Sequence, residues 1–316
     1  MRTLRFITIL TSAMLALSSI QGHAQGKGRK SAPPTANAAP VWVLPPVEGG
    51  NLHYRKFQSA AVKGDVSYVI YLPAGYEKNR EAHYPVVFWL HGKGGGQQGL
   101  PGFARGYDQA IAAGKCPPLI VVYPNGLPLG GYNDSPDGKQ PVESMIIRDL
   151  IPHIDATYRT RATREGRMIE GFSMGGSGAA KLGFKYPDLF GSISIISAAL
   201  HTADTLGERN GDMLDTVYGG RAAFEAQSDP RLLAERNADK VRGRTPLRIC
   251  VGSRDPLKNK NIAFHELLDR LKIEHEFTVI EGAPHAPAPV HAGLGDKNWE
   301  FYTNAFKPRN GAVKTK

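Results

Sequence analysis

The 316-residue chain contains only two cysteines, Cys116 and Cys250. That scarcity excludes a disulfide-dense scaffold. No Cys/His cluster has the spacing of a structural zinc site either. Cys250 falls inside an expected central strand and Cys116 just before another. The two could pair in an exported protein, but two free, small apolar side chains is the preferred reading. Long apolar runs are missing as well. Residues 6–17 form the apolar stretch at the N-terminus, too short to span a bilayer comfortably. No unit of 20–50 residues repeats, which excludes solenoids and propellers. A basic stripe on the domain is also absent, although the formal net charge is +10. Nine of the cations lie in the termini: Arg2, Arg5, Lys27, Arg29, Lys30, Lys307, Arg309, Lys314 and Lys316. Leaving them out together with Glu48 leaves roughly +2 on residues 50–306. A nucleic-acid binder would carry its charge on the folded domain, so that class is disfavoured and the tails read as solubilising.

What remains is an ordinary globular composition, 41% hydrophobic and 22% charged, of a length that one α/β domain can fill. Arg2 and Arg5 precede the apolar stretch, and Gly22-His23-Ala24 is a small-x-small cleavage site. Residues 1–24 therefore read as a signal peptide, and the mature chain is expected to be secreted or periplasmic. Residues 25–48, rich in Pro, Ala, Gly and Lys, read as a flexible lead-in. The folded domain is expected over 49–307 and a basic tail over 308–316. Within the domain a strand pair is expected at 52–60 and 65–72. Strands at 85–90, 118–123, 166–172, 190–196, 246–252 and 275–280 then alternate with helices at 103–113, 143–157, 174–186, 259–271 and 296–306. The helix at 143–157 should kink or break at Pro152. Such alternation predicts a mostly parallel, doubly wound α/β sheet. Residues 200–245 lack a clear strand and are the candidate for a lid.

Chemistry concentrates at Gly171-Phe172-Ser173-Met174-Gly175. This G-x-S-x-G sits where an apolar strand turns into a helix, the arrangement of a nucleophile elbow. The tight turn needs glycine on both sides of the serine, because a Cβ there would collide across it. A serine hydroxyl is a weak nucleophile until a base takes its proton, and the base needs a carboxylate to orient it. With this elbow the chain order is Ser, acid, His. Asp255 follows the strand at 246–252 and is the candidate acid; its alternative is an N-cap of the next helix. His285 follows the last strand and is the candidate base, with His291 in the same loop as its rival. The oxyanion donors should be the backbone N–H groups of Met174 and of Lys93, with Gly94 as the alternative to Lys93. His91 precedes the serine and reads as a brace for that loop. Asn133-Asp134-Ser135-Pro136-Asp137-Gly138 is a poor calcium loop, since its twelfth position is Ser144 rather than Glu. No metal and no cofactor are expected.

Further motifs accompany the elbow: Tyr71-Leu72-Pro73-Ala74-Gly75-Tyr76, Trp89-Leu90-His91-Gly92, Arg148-Asp149-Leu150-Ile151-Pro152-His153-Ile154-Asp155 and Tyr186-Pro187-Asp188-Leu189-Phe190. On these residues the chain from about 54 to 306 resembles the secreted bacterial feruloyl and acetyl-xylan esterases. That α/β-hydrolase branch also holds S-formylglutathione hydrolases and mycolyltransferases. The resemblance implies a single-domain serine carboxylesterase acting on feruloyl or acetyl esters of plant cell-wall polysaccharide. The alternatives are an S-formylglutathione hydrolase-like thioesterase and a non-catalytic binding protein on a hydrolase fold. The expected partner is a small-molecule or polysaccharide ester, without nucleic acid or stable membrane insertion after signal cleavage; oligomeric state is left open. Many relatives place His and Trp together in the last loop. Here that loop is proline-rich and Trp299 lies well downstream, so His285 and His291 both remain candidates.

Overall fold

A computed structural model describes residues 39–95 and 97–307. The expected signal peptide, residues 25–38 of the lead-in and the tail at 308–316 lie outside the described residues.

Eight strands form one sheet: β1 Leu52–Ser59, β2 Gly64–Tyr71, β3 Val86–Leu90, β4 Ile120–Pro124, β5 Arg167–Phe172, β6 Ser192–Ile196, β7 Leu247–Gly252 and β8 Glu276–Ile280. Their spatial order is β1-β2-β4-β3-β5-β6-β7-β8. The β1–β2 and β2–β4 pairings are antiparallel. The remaining pairings, from β4 across to β8, are parallel. Every residue of β3, β4, β5, β6 and β7 is buried, because helices cover both faces of a parallel sheet. This explains why those strands read as continuous apolar runs rather than as alternation. The result is the expected doubly wound α/β-hydrolase fold.

The helices are α1 Leu100–Ala112, α2 Val142–Ser144, α3 Ile151–Thr157, α4 Met174–Lys185, α5 Ala203–Thr216, α6 Arg221–Gln227, α7 Pro230–Val241, α8 Lys258–Arg270, α9 Pro287–Leu294 and α10 Asp296–Ala305. Between α2 and α3 the chain forms a π-helical turn, Met145–Leu150. Pro152 has no N–H to return to the carbonyl four residues back. The expected interruption therefore takes the form of a widened turn just ahead of it.

Three expectations need correction. Residues 39–48 are not a free lead-in. The Ser67 N–H donates to the Trp42 carbonyl at 2.8 Å, the Leu44 N–H to Ser67 Oγ at 2.9 Å, and Asn125 Nδ2 to the Val41 carbonyl at 2.9 Å. The proline-rich stretch after His285 is helical, because Pro287 occupies the first turn of α9, where its missing N–H costs nothing. Finally, 200–245 is not a lid over the serine. It folds into α5, α6 and α7, with a small core of Ala203, Leu206 and Phe224, and Asp229 caps α7 through the Arg231 N–H. Among the described residues none of this stretch lines the cleft beside Ser173.

One buried ion pair crosses the sheet. Arg248 on β7 donates to Glu170 on β5 at 2.9 Å and to Ser194 Oγ at 2.8 Å. Tyr302 donates its hydroxyl to Glu170 at 2.8 Å, and the guanidinium lies over the Phe301 ring. Both charged groups are out of reach of water, so each depends on the other. Arg248→Met leaves the Glu170 carboxylate buried and unpaired. It should lower unfolding free energy by about 3–5 kcal/mol, as read from urea denaturation. The double variant Arg248→Met with Glu170→Leu should recover most of that loss.

Candidate active site

Ser173 sits at the N-cap of α4 with φ 59° and ψ −116°. That conformation is strained for a residue with a Cβ, and the surroundings hold it. The Ser173 N–H donates to the Ile196 carbonyl at 3.0 Å, and the Ser173 carbonyl accepts from Ala199 at 3.0 Å and Ser177 at 3.1 Å. The elbow is thus tied to the end of β6. The flanking glycines are sterically required. A Cβ on Gly171 would lie 2.1 Å from the Gly175 carbonyl oxygen, and one on Gly175 would lie 2.0 Å from that of Leu90.

The acid and base loops are stitched together. The Ser253 N–H reaches the Ile280 carbonyl at 2.8 Å, Arg254 N–H the Ala283 carbonyl at 3.1 Å, and Gly282 N–H Ser253 Oγ at 2.8 Å. Gly252 allows this close approach, since a Cβ there would meet the Ala283 oxygen at 2.1 Å. As a result Asp255 Oδ2 lies 2.8 Å from His285 Nδ1, and His285 Nε2 lies 2.9 Å from Ser173 Oγ. The other Asp255 oxygen accepts the Leu257 N–H at 2.7 Å. Asp255 therefore braces the turn ahead of α8 as well as the imidazole, but it is not that helix's N-cap, which is Leu257. With Nδ1–H donated to the carboxylate, Nε2 keeps its lone pair for the serine hydroxyl. The ring packs against Phe172 at 4.7 Å between centroids.

The rival base is elsewhere. His291 lies on α9 with its ring edge-on to Phe103, and its Nε2 is buried without a hydrogen-bond partner among the described residues. Burial pushes its pKa down from 6.5 to about 4, with the nearby Arg248 acting the same way and Glu170 opposing. An unfolded chain binds a proton here below about pH 6.5, whereas the folded one does not until about pH 4. Stability should therefore fall as pH drops through that window. His291→Leu should flatten part of this acid limb in urea titrations between pH 7 and pH 4, without abolishing ester turnover.

The candidate oxyanion donors lie on the loop after β3 and at the start of α4. The Gly94 N–H is committed to the Pro128 carbonyl at 2.9 Å. Among the described residues the N–H groups of Lys93 and Met174 have no backbone acceptor, which favours Lys93 over Gly94 as the candidate donor. His91 braces this loop as expected. Its Nδ1 donates to the Gly92 carbonyl at 2.8 Å, and its Nε2 accepts the Gly126 N–H at 3.1 Å. Burial lowers its pKa, so the ring stays neutral in that role. Gly92 passes close to the nucleophile, where a Cβ would lie 3.3 Å from that of Ser173.

A cleft of about 950 Å³ opens beside Ser173 and His285. Trp89, Phe103, Tyr123, Leu127 and Phe172 give it a largely apolar, aromatic lining. A family model for esterases matches residues 59–312. The chain belongs to the esterase family. The Mycobacterium tuberculosis (strain CDC 1551 / Oshkosh) protein named Esterase MT1326 is 36% identical over 146 residues, 45% of this chain and 31% of that protein. An endo-1,4-beta-xylanase/feruloyl esterase of Xylanibacter ruminicola is 29% identical over 169 residues, 51% of this chain and 23% of that protein. The alignments thus span less than a third of either relative's length. A solved ferulic acid esterase superposes with a TM-score of 0.69 at 24% identity, covering 81% of this chain and 98% of that one, and so shares its fold.

Cys116 and Cys250 are buried and free. The loop at 133–138 is a polar turn: Asp134 holds the Ser144 N–H at 2.9 Å and Asp137 the Ser135 hydroxyl at 2.6 Å. Among the described residues His265, Asp269 and His275 cluster closely enough to share an ion. His265 and Asp269 lie on α8 and His275 just ahead of β8, whereas Ser173 follows the C-terminal end of β5. The rings of His265 and His275 are hydrogen-bonded to each other at 2.7 Å. No described helix is long and apolar enough to cross a membrane.

Proposed function

We propose that the chain hydrolyses carboxylic esters through an acyl-enzyme on Ser173. The observation that carries this reading is the unbroken line from Asp255 through His285 to Ser173, at 2.8 and 2.9 Å. In the proposed cycle His285 Nε2 takes the serine proton as Oγ attacks the ester carbonyl. Asp255 holds the ring in the required tautomer and stabilises the imidazolium. The N–H groups of Lys93 and Met174 receive the oxyanion. His285 then gives its proton to the departing alcohol, and water activated by the same ring releases the acid.

Aromatic acyl esters of the feruloyl class, on plant cell-wall polysaccharide, fit better than acetyl esters. Clefts of roughly 300–1,000 Å³ suit drug-sized ligands, and an acetyl group would leave most of this one unfilled. The aromatic lining offers flat apolar contact to a hydroxycinnamoyl group. With residues 1–24 removed as a signal peptide, the enzyme would meet that substrate outside the cytoplasm. A panel of methyl ferulate, acetylated xylan, p-nitrophenyl acetate and S-formylglutathione tests the assignment. Methyl ferulate should give the highest kcat/KM of the first three, and the thioester should not exceed it. A preference for acetylated xylan or for S-formylglutathione would move the substrate class while keeping the site. Turnover of none of them would sink the esterase reading.

A further inference from the structure

We infer that the segment at 41–47 is a specificity wall of the active site, forming one side of the pocket for the acyl group. This rests on the esterase reading of Ser173 given above. Leu44, Pro45, Pro46 and Val47 line the same cleft as Ser173 and His285. They precede the region matched by the family model, residues 59–312.

Three features show that the segment is built to stay there. Its side chains alternate: Val41 and Val43 face solvent at 57% and 41% exposure, while Trp42 packs on the main core and Leu44 turns to the cleft. The backbone is tied by Ser67 on β2, which bonds both Trp42 and Leu44. It is tied again by the buried Asn125, whose amide donates to the Val41 carbonyl at 2.9 Å and the Trp42 carbonyl at 3.0 Å. The Asn125 oxygen also accepts the Leu127 N–H at 3.2 Å, and Pro128 next to it accepts the Gly94 N–H of the oxyanion loop. The wall and the oxyanion loop are thus fastened to one short stretch after β4.

The sheet order says which half of the ester the wall meets. His285 comes from the β7–β8 side of β5, and the leaving alcohol must stay within its reach to receive a proton. Trp89, Tyr123 and Asn125 come from the ends of β3 and β4, on the opposite side. The wall is fastened to Asn125, so the group held between it and Trp89 and Tyr123 is the acyl group. The proline pair makes that wall stiff, because Pro45 and Pro46 have fixed φ. A stiff apolar wall favours a large planar acyl group over a small one.

The test compares p-nitrophenyl cinnamate with p-nitrophenyl acetate, so that the leaving group stays constant. In Leu44→Ala/Val47→Ala the ratio of kcat/KM for cinnamate to that for acetate should fall about tenfold, as expected for lost apolar contacts. Ser67→Ala, which lies outside the cleft and removes the hydroxyl's bonds to the Leu44 N–H and the Trp42 carbonyl while keeping the backbone bond to Trp42, should shift the ratio in the same direction by less. Taking the ratio cancels any loss of folded protein. A ratio unchanged within about twofold, or an equal loss on both esters, would overturn the wall while leaving the esterase standing. A wild-type protein active on neither ester would overturn the esterase reading, and the wall with it.

Discussion

Ser173→Ala is expected to lower ester turnover by about 10⁴-fold or more, with thermal unfolding close to that of the parent. The size of the loss follows from the division of labour. Among the described residues Ser173 Oγ is the hydroxyl that contacts His285 Nε2, at 2.9 Å, and in the proposed mechanism it alone receives the acyl group. What survives the substitution is the pull of the Lys93 and Met174 N–H groups on an oxyanion, which acts on direct attack by water but forms no covalent intermediate. The fold should tolerate the change, because the elbow is held by backbone bonds to Ile196 and Ala199. Activity above a tenth of the parent's would remove Ser173 from the mechanism.

Asp255→Asn should cost nearly as much, again with the architecture kept. Asparagine matches the carboxylate in shape and can still accept the Leu257 N–H, so the turn ahead of α8 survives. Toward His285 the amide can present its NH₂ group, which leaves the proton on Nε2 and removes the lone pair that the serine needs. A fall in kcat of about 10³- to 10⁴-fold is expected, compared at equal folded protein. His285→Ala should match the serine variant, while His291→Ala should stay within about tenfold of the parent. The reverse ranking of the two histidines would transfer the base to α9.

Much of this site was legible because its chemistry forces local sequence patterns. An elbow requires glycine on both sides of the serine, and the collisions a Cβ would suffer at Gly171 and Gly175 are the physical content of that motif. Asp255 and His285 could be found because each follows a strand, and parallel strands deliver their C-terminal ends to one edge of the sheet. The same rule put His285 ahead of His291, but it left the rival standing, because the separation of the two depends on Pro287 starting a helix in what reads as a proline-rich loop. The Glu170–Arg248 pair leaves a trace in the sequence, opposite charges in two strands otherwise apolar and expected to be central. The segment at 41–47 gave no local signal. Its composition is that of a linker, and it is ordered by partners far along the chain, Ser67 and Asn125.

The central claim, that Ser173 forms the acyl-enzyme, is tested most directly by a fluorophosphonate that phosphonylates activated serines, followed by peptide mass mapping. One adduct per chain on Ser173 is predicted, formed in the parent and abolished in His285→Ala and Ser173→Ala. An adduct on a different serine, or continued ester turnover after Ser173 is fully labelled, would contradict it.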